Sequence, residues 1–525
     1  MVFYKKVCRR IFSQDAPEMA PAESLPPPKI MESRADLWHG TIRPSLWHPD
    51  DESWHLFRRI ENNSLEAPSP KGDRLRPRNI LPLYDLDRYR CHIPAHDFTG
   101  ERLYHEAASL PGEGGDIHLP PGRVELHRML KLPSNSRLIG SGRGSTLLVF
   151  QDVDHGICLR GSSGNPLFDI SIHDITLSHK GVHKFCAAVF ISNCRNLGFY
   201  DVEIIQPVGV GFLLADNVSG TLLSSCSVAG AGLGGYMLVR DVHGTVFDSC
   251  RAYGCGQSGV FLTDLKLPRD CDPLDFDHQI HHTTSVIGNF GPFDPWDPSP
   301  CRTTMNNCIF SGNRKMGVTT DGTGLLKIDG CTISHNDCEG ITIDNGSWAC
   351  IVQNSTITGN GWRGRQHSEE LTVDFVNQMG LMPDKSSMAK LPGISFDNAA
   401  NCRVENCLIE GNWGDGVKFV RAVYGCTVSS NLIIDNNLGR NSRFHFFGVL
   451  IAVAPRQHKD QADFPSCYNN IMKNDILGSH FAGIHLLPGT VGNVIEGNTI
   501  SGHQHMAIEN HTLEDDNLLI HNHTG

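Results

Sequence analysis

The stretch Asp329-Gly-Cys-Thr-Ile-Ser-His-Asn-Asp-Cys-Glu-Gly-Ile-Thr-Ile-Asp344 decides the fold of this chain. It holds two short β-branched runs separated by a turn, and both runs recur along the sequence. The position of Cys331 returns at Val202, Cys226, Cys250, Cys308, Ser355, Cys407, Asn431, Asp475 and Asn498. With Cys331 in its place, the gaps are 24, 24, 58, 23, 24, 52, 24, 44 and 23 residues. The three long gaps are one period plus insertions of roughly 34, 28 and 20 residues. A sustained period of this kind, with Gly-Asn turns, marks a solenoid. The expected fold is all-β: a single right-handed parallel β-helix.

Working outward, stacked coils put equivalent residues about 4.8 Å apart. The Cys331 column then lies inside the helix, where a small, soft side chain packs well. A second column runs five residues earlier through Thr221, Thr245, Thr303, Leu326, Cys350, Cys402 and Cys426. Cβ atoms one strand spacing apart exceed the ~3.8 Å of a disulfide, so these thiols are expected to be free and structural.

Length and composition fit one long body. For 525 residues the length prior suggests several domains, but a repeat runs on as one. A net charge of −12 argues against nucleic acid as a partner. Apolar runs of 18 residues are missing, so no membrane span is expected. The segment from Met1 to Phe12 is basic but lacks an apolar core for secretion. The 18 cysteines are therefore expected in the reducing cytoplasm. Residues 1–35 read as a disordered tail and 36–110 as an aromatic cap with Trp38-His39, Trp47-His48 and Trp54-His55. Residues 111–525 read as the β-helix, with insertions at 265–300, 363–391, 437–446 and 454–466.

Glu101-Arg-Leu-Tyr-His-Glu-Ala-Ala-Ser-Leu is followed by Gly114-Gly-Asp-Ile-His-Leu-Pro-Pro-Gly and Leu138-Ile-Gly-Ser-Gly-Arg-Gly. This order resembles the opening of the pectin-lyase-like superfamily: capping helix, Gly-Gly strand start, Pro-Pro-Gly turn, first coil. The resemblance covers residues 97–525 and implies the fold. That fold hosts lyases, hydrolases, epimerases, transferases and non-enzymes. Pectate lyase Arg-x-Pro-x-x-Arg, polygalacturonase Gly-His-Gly and Arg-Ile-Lys, and epimerase Asp-Pro-His-Glu motifs are all absent.

One strand per coil starts after glycine, as in Gly317-Val-Thr-Thr-Asp, Gly340-Ile-Thr-Ile-Asp, Gly393-Ile-Ser-Phe-Asp and Gly416-Val-Lys-Phe-Val. Gly448-Val-Leu-Ile-Ala and Gly483-Ile-His-Leu-Leu continue it. Period 2 sends the first and third residues inward and the second and fourth outward. One outward row is then Thr319, Thr342, Ser395, Lys418, Leu450 and His485; the other is Asp321, Asp344, Asp397, Val420, Ala452 and Leu487. Stacked carboxylates repel, so one should have a raised pKa or all should share a cation. The catalytic candidates are Asp321, Asp344, Asp397, Lys418 and His485. Thr342, Ser395, Leu450, Leu487, Phe444 and Phe446 are the binding candidates. A competing reading makes Asp321-Gly322, Asp344-Asn345 and Asp397-Asn398 plain strand-exit turns.

The four insertions border this face and would wall a groove, with a lid helix over Glu369 to Met379. The acidic loop Asp270, Asp272, Asp275, Asp277, His278, His281 and His282 has no established ligand spacing, so no metal is expected. Three functions follow. The leading one is an intracellular enzyme that rearranges or cyclises a small, partly apolar metabolite without a cofactor. The alternative is a carbohydrate lyase, hydrolase, epimerase or transferase using the aspartates, with Ca²⁺ entering only for a lyase. The last is a non-catalytic scaffold.

Overall fold

The structure, a computed structural model, describes residues 89–183, 186–263, 301–344, 346–362, 391–420, 422–439, 445–454, 464–513 and 516–525. The tail, most of the aromatic cap, the 265–300 insertion, the lid helix and Phe444 lie outside these residues.

Every coil contributes one strand to a 14-stranded parallel sheet running from Gly122–Leu126 to His523–Thr524. The other strands of the coils form a 26-stranded sheet. Parallel pairing from coil to coil makes the chain a right-handed parallel β-helix of the pectin-lyase-like fold. The helix Gly100–Ser109 sits before the coils, capped by Thr99, whose Oγ1 accepts the Arg102 N–H at 3.2 Å. Parallel stacking begins ahead of it, because Arg90–His92 already pairs with Gly115–His118. The 454–466 insertion leaves and returns through an antiparallel pair, Val453↔Pro465 and Ala454↔Phe464.

The alternation expected after each glycine holds. Ile341, Ile343, Ile394, Phe396, Val417 and Phe419 point inward and are fully buried, each worth about 1.5–3 kcal/mol. Phe396 stacks on Phe419 with ring centroids 5.2 Å apart. Glycine starts the strand because a Cβ at Gly340 would stand 2.7 Å from the Gly393 carbonyl oxygen and 2.8 Å from Asn360 Nδ2.

The interior columns change chemistry along the axis. None of the 16 described cysteines forms a disulfide, and all but Cys338 are buried. Column thiols donate to carbonyls of the preceding coil, as Cys250 Sγ does to Leu223 at 3.2 Å. Further on, asparagines take over. Cys426 N–H donates to Asn469 Oδ1 at 3.0 Å, and Asn469, Asn493 and Asn517 continue that column. The Cys331 column passes through Asn431, Asn474 and Asn498, with Nδ2–Oδ1 bonds of 2.9 Å at both steps. This corrects the sequence register by one residue. Asp475 is exposed and pairs with Leu432, because an amide both donates and accepts along such a column whereas a carboxylate only accepts.

Candidate functional site

The outward rows assemble in the expected register. Asp321 pairs with Asp344 and Asp344 with Asp397 on consecutive coils. Beside them runs Thr319↔Thr342↔Ser395↔Lys418↔Leu450↔His485. Asp321 is 9% exposed and Lys418 only 4%, while Asp344 and Asp397 are half-buried. Thr319 is tied back by Ser258, whose Oγ lies 3.0 Å from its Oγ1. The left-handed turns after the aspartates fall on Gly322 (φ 67°) and Asn398 (φ 51°). Backbone curvature at the strand exit is thus met by the following residue.

The rest of the face is apolar on both sides of this polar patch. Before it, Phe190, Leu213 and Met237 occupy the outward row and are each 1% exposed in a cluster of their own. After it, Leu450 (1% exposed) and Ala452 pack with Phe447 and Ala482, and Leu487 lies against them. Phe446 is likewise buried, its carbonyl accepting the Phe481 N–H at 2.9 Å. Leu450 and Phe446 therefore sit beneath the chain's own side chains, where the sequence suggested an open apolar floor.

Two candidate groups escape the sequence reading. Glu339, just before the strand Ile341–Asp344, is partly buried, and burial raises its carboxyl above the usual range against its own backbone N–H and the Lys418 charge. Its position one residue before glycine lies off the alternation used to find the rows. Asp415, in the equivalent position two coils on, is fully buried and accepts the Phe447 N–H at 2.8 Å.

The second missed group extends the rows by one coil. His485 stacks on Glu509, and His511 follows in the aspartate row. His485 Nδ1 lies 3.6 Å and His511 Nε2 2.9 Å from the Glu509 carboxylate. The numerical signal was present, since Glu509 is 24 residues after His485. Ala507 replaces the marker glycine, and among the described residues no further strand pairs with Ile508–Asn510 to crowd a Cβ there. Elsewhere, a cavity of about 290 Å³ lined by His92, His118 and Ser141 sits on the first coils, away from the aspartates.

The family model "right handed beta helix region" matches residues 299–378. No curated protein sequence matches the chain. Among solved structures, the A-module of mannuronan C-5 epimerase AlgE6 from Azotobacter vinelandii is similar, with a TM-score of 0.52 and 17% identity. The likeness covers 81% of this chain and 94% of that one. The catalytic unit of a GH87 α-1,3-glucanase from Streptomyces thermodiastaticus is similar with a TM-score of 0.50 and 13% identity, covering 78% and 66%. At these identities the likeness is one of fold. Among the described residues no helix is long and apolar enough to cross a membrane.

Proposed function

We propose that this chain is a carbohydrate-active enzyme that cleaves glycosidic bonds of a neutral glycan laid along the outward face. The observation that carries the reading is the register Asp321↔Asp344↔Asp397, three carboxylates on consecutive coils. Folding does not ask for such a column, because like charges directly opposite on neighbouring strands destabilise a sheet. Glycoside hydrolysis does ask for paired carboxylates. Neighbours one strand apart, about 4.8 Å, approach the ~5 Å of a retaining pair; the first and third approach the ~9.5 Å limit of an inverting pair.

Acid and base must differ in protonation. Repulsion between adjacent carboxylates favours a proton on one, which serves as the acid, while its ionised neighbour serves as base or nucleophile. Lys418, in the row beside the carboxylates, supplies the compensating positive charge. A net charge of −12 and a carboxylate column together repel a polyanion, which favours a neutral glycan. The buried Leu450 and Phe446 remove the floor on which a small apolar metabolite would lie. A glycan substrate also agrees with the epimerase and glucanase of similar fold.

The test is a panel of neutral glucans, mannans and xylans beside uronate polymers, with the full chain. Reducing ends should appear from at least one neutral glycan, and Asp344→Asn or Asp397→Asn should cut the rate by about 10²- to 10⁴-fold. Activity confined to uronates, or unimpaired in both variants, overturns the proposal.

A further inference from the structure

Two coils past Lys418 the same face carries a cluster of different composition, which the glycan reading does not use. His485, Glu509 and His511 each bring one nitrogen or oxygen to a common point, with the three atoms within 4.8 Å of one another. The carboxylate stands between the imidazoles, one oxygen 2.9 Å from His511 Nε2 and the other 3.6 Å from His485 Nδ1. Phe447 packs edge-on against the His485 ring, centroids 4.3 Å apart at 79°, and fixes its plane. Glu509 is only 16% exposed in its side chain, and its Oε2 is buried without accepting a hydrogen bond. A buried carboxylate oxygen in that state is costly unless a cation meets it.

We propose that His485, Glu509 and His511 bind a divalent transition-metal ion, Zn²⁺ foremost, with one coordination position left open to solvent. Zinc bonds of about 2.0–2.1 Å to nitrogen and oxygen in a tetrahedron set ligand atoms roughly 3.3 Å apart, and small side-chain rotations bring three atoms already within 4.8 Å of one another to that spacing. Two imidazoles with one carboxylate suit Zn²⁺, Fe²⁺, Co²⁺ or Ni²⁺ and not Ca²⁺ or Mg²⁺, which take oxygen ligands. Three protein ligands leave a fourth position, and it opens on the side of His511, whose side chain is 49% exposed.

The ion would join two coils. His485 belongs to the strand Ile484–Leu486, while Glu509 lies on Ile508–Asn510 and His511 directly follows it. That second strand is the less buried, with Asn510 exposed, so a metal bond between the coils replaces packing that the core supplies elsewhere. The row also places the site two strand spacings, about 10 Å, from Lys418.

The experiment uses the full chain, stripped with EDTA and re-equilibrated with ZnCl₂ at neutral pH. Bound zinc is counted by elemental analysis in wild type, His511→Ala and Glu509→Gln. Each variant should hold one equivalent less than wild type, which cancels adventitious binding by the other histidines and cysteines. Co²⁺ should give a visible d–d band in wild type that both variants lose, and excess Ca²⁺ should not displace it. The half-exposed His511→Ala should keep the wild-type circular dichroism, separating ligand loss from unfolding. Equal zinc content in all three proteins, or displacement of Co²⁺ by Ca²⁺, overturns the site. Neither readout depends on glycan turnover, so this inference and the proposed function fail separately.

Discussion

Two polar columns climb the same coils, and they are energetic opposites. Inside, Asn313, Asn336, Asn360, Asn412 and Asn436 pass hydrogen bonds from each Nδ2 to the next Oδ1 at 2.8–3.0 Å. Each of these amides also donates to a backbone carbonyl, as Asn360 does to Ile333 at 3.1 Å. Outside, Asp321, Asp344 and Asp397 stack at the same spacing. An amide carries donor and acceptor, so repetition satisfies it; an ionised carboxylate only accepts, so repetition opposes it. The asparagine column is accounted for by folding. The aspartate column is the one on which the proposed function rests.

Exchanging the two chemistries should break each column in its own way. The largest effect is on turnover. Asp344→Asn leaves a side chain of nearly the same shape that can neither ionise nor shuttle a proton. A rate loss of 10²- to 10⁴-fold corresponds to about 3–5.5 kcal/mol of transition-state stabilisation. Thr319→Ala, in the neighbouring row, should stay within about tenfold, and an equal loss in both variants would show a disturbed sheet and not a lost carboxylate.

The reverse exchange strikes stability. Asn360→Asp removes the two donors that reach Asn412 Oδ1 and the Ile333 carbonyl, in a fully buried position. An unpaired buried charge costs several kcal/mol, so the melting temperature should fall by more than ten degrees or the protein should fail to fold. A wild-type melting curve for this variant would remove the asparagine column as a source of stability.

A smaller effect follows from how that column ends. His480 replaces the next asparagine, its Nε2 accepting the Asn436 N–H at 3.2 Å, so the ring must be neutral. Burial, then the neighbouring His503, pushes its pKa down to about 3; burial likewise holds His155 and His179 near 4. Unfolded histidines titrate near 6.5, so below that pH the unfolded chain binds more protons. The stabilisation is complete above about pH 6.5 and drains away as pH falls towards 4 and then 3. Denaturation midpoints at pH 7.5, 6, 5 and 4 should decline in that order. His480→Asn should flatten the decline, and an unchanged slope would clear His480 of any part in it.

How much of this was legible in the sequence follows from the same physics. The coil period, the inward Ile343 and Phe396, and the outward aspartates were readable because packing against the next coil enforces them. Asp475 was mistaken for Asn474 because a 44-residue gap hides a one-residue slip that only hydrogen bonding resolves. Glu509 and His511 escaped because Ala507, with no described strand beyond it, needs no glycine. The covering of Leu450 by Phe447 was illegible for a different reason: a loop's path over a strand has no period to read.

The smallest effect is the most discriminating. If the aspartates repel one another, replacing the middle one should relieve that repulsion, and Asp344→Asn should melt slightly higher than wild type. Like-charge pairs directly opposite on a sheet cost up to about 1 kcal/mol each, and half-buried positions are incompletely screened by solvent. The gain should therefore be about a kcal/mol at pH 7. It should shrink at high salt, which screens the repulsion. The same substitution would then raise stability while abolishing turnover, the trade expected of a strained functional site. A lower melting temperature, with the salt dependence absent, would mean instead that Asp344 holds its strand exit together through local hydrogen bonds. The column would then be structural after all, and the contrast with the asparagines would collapse.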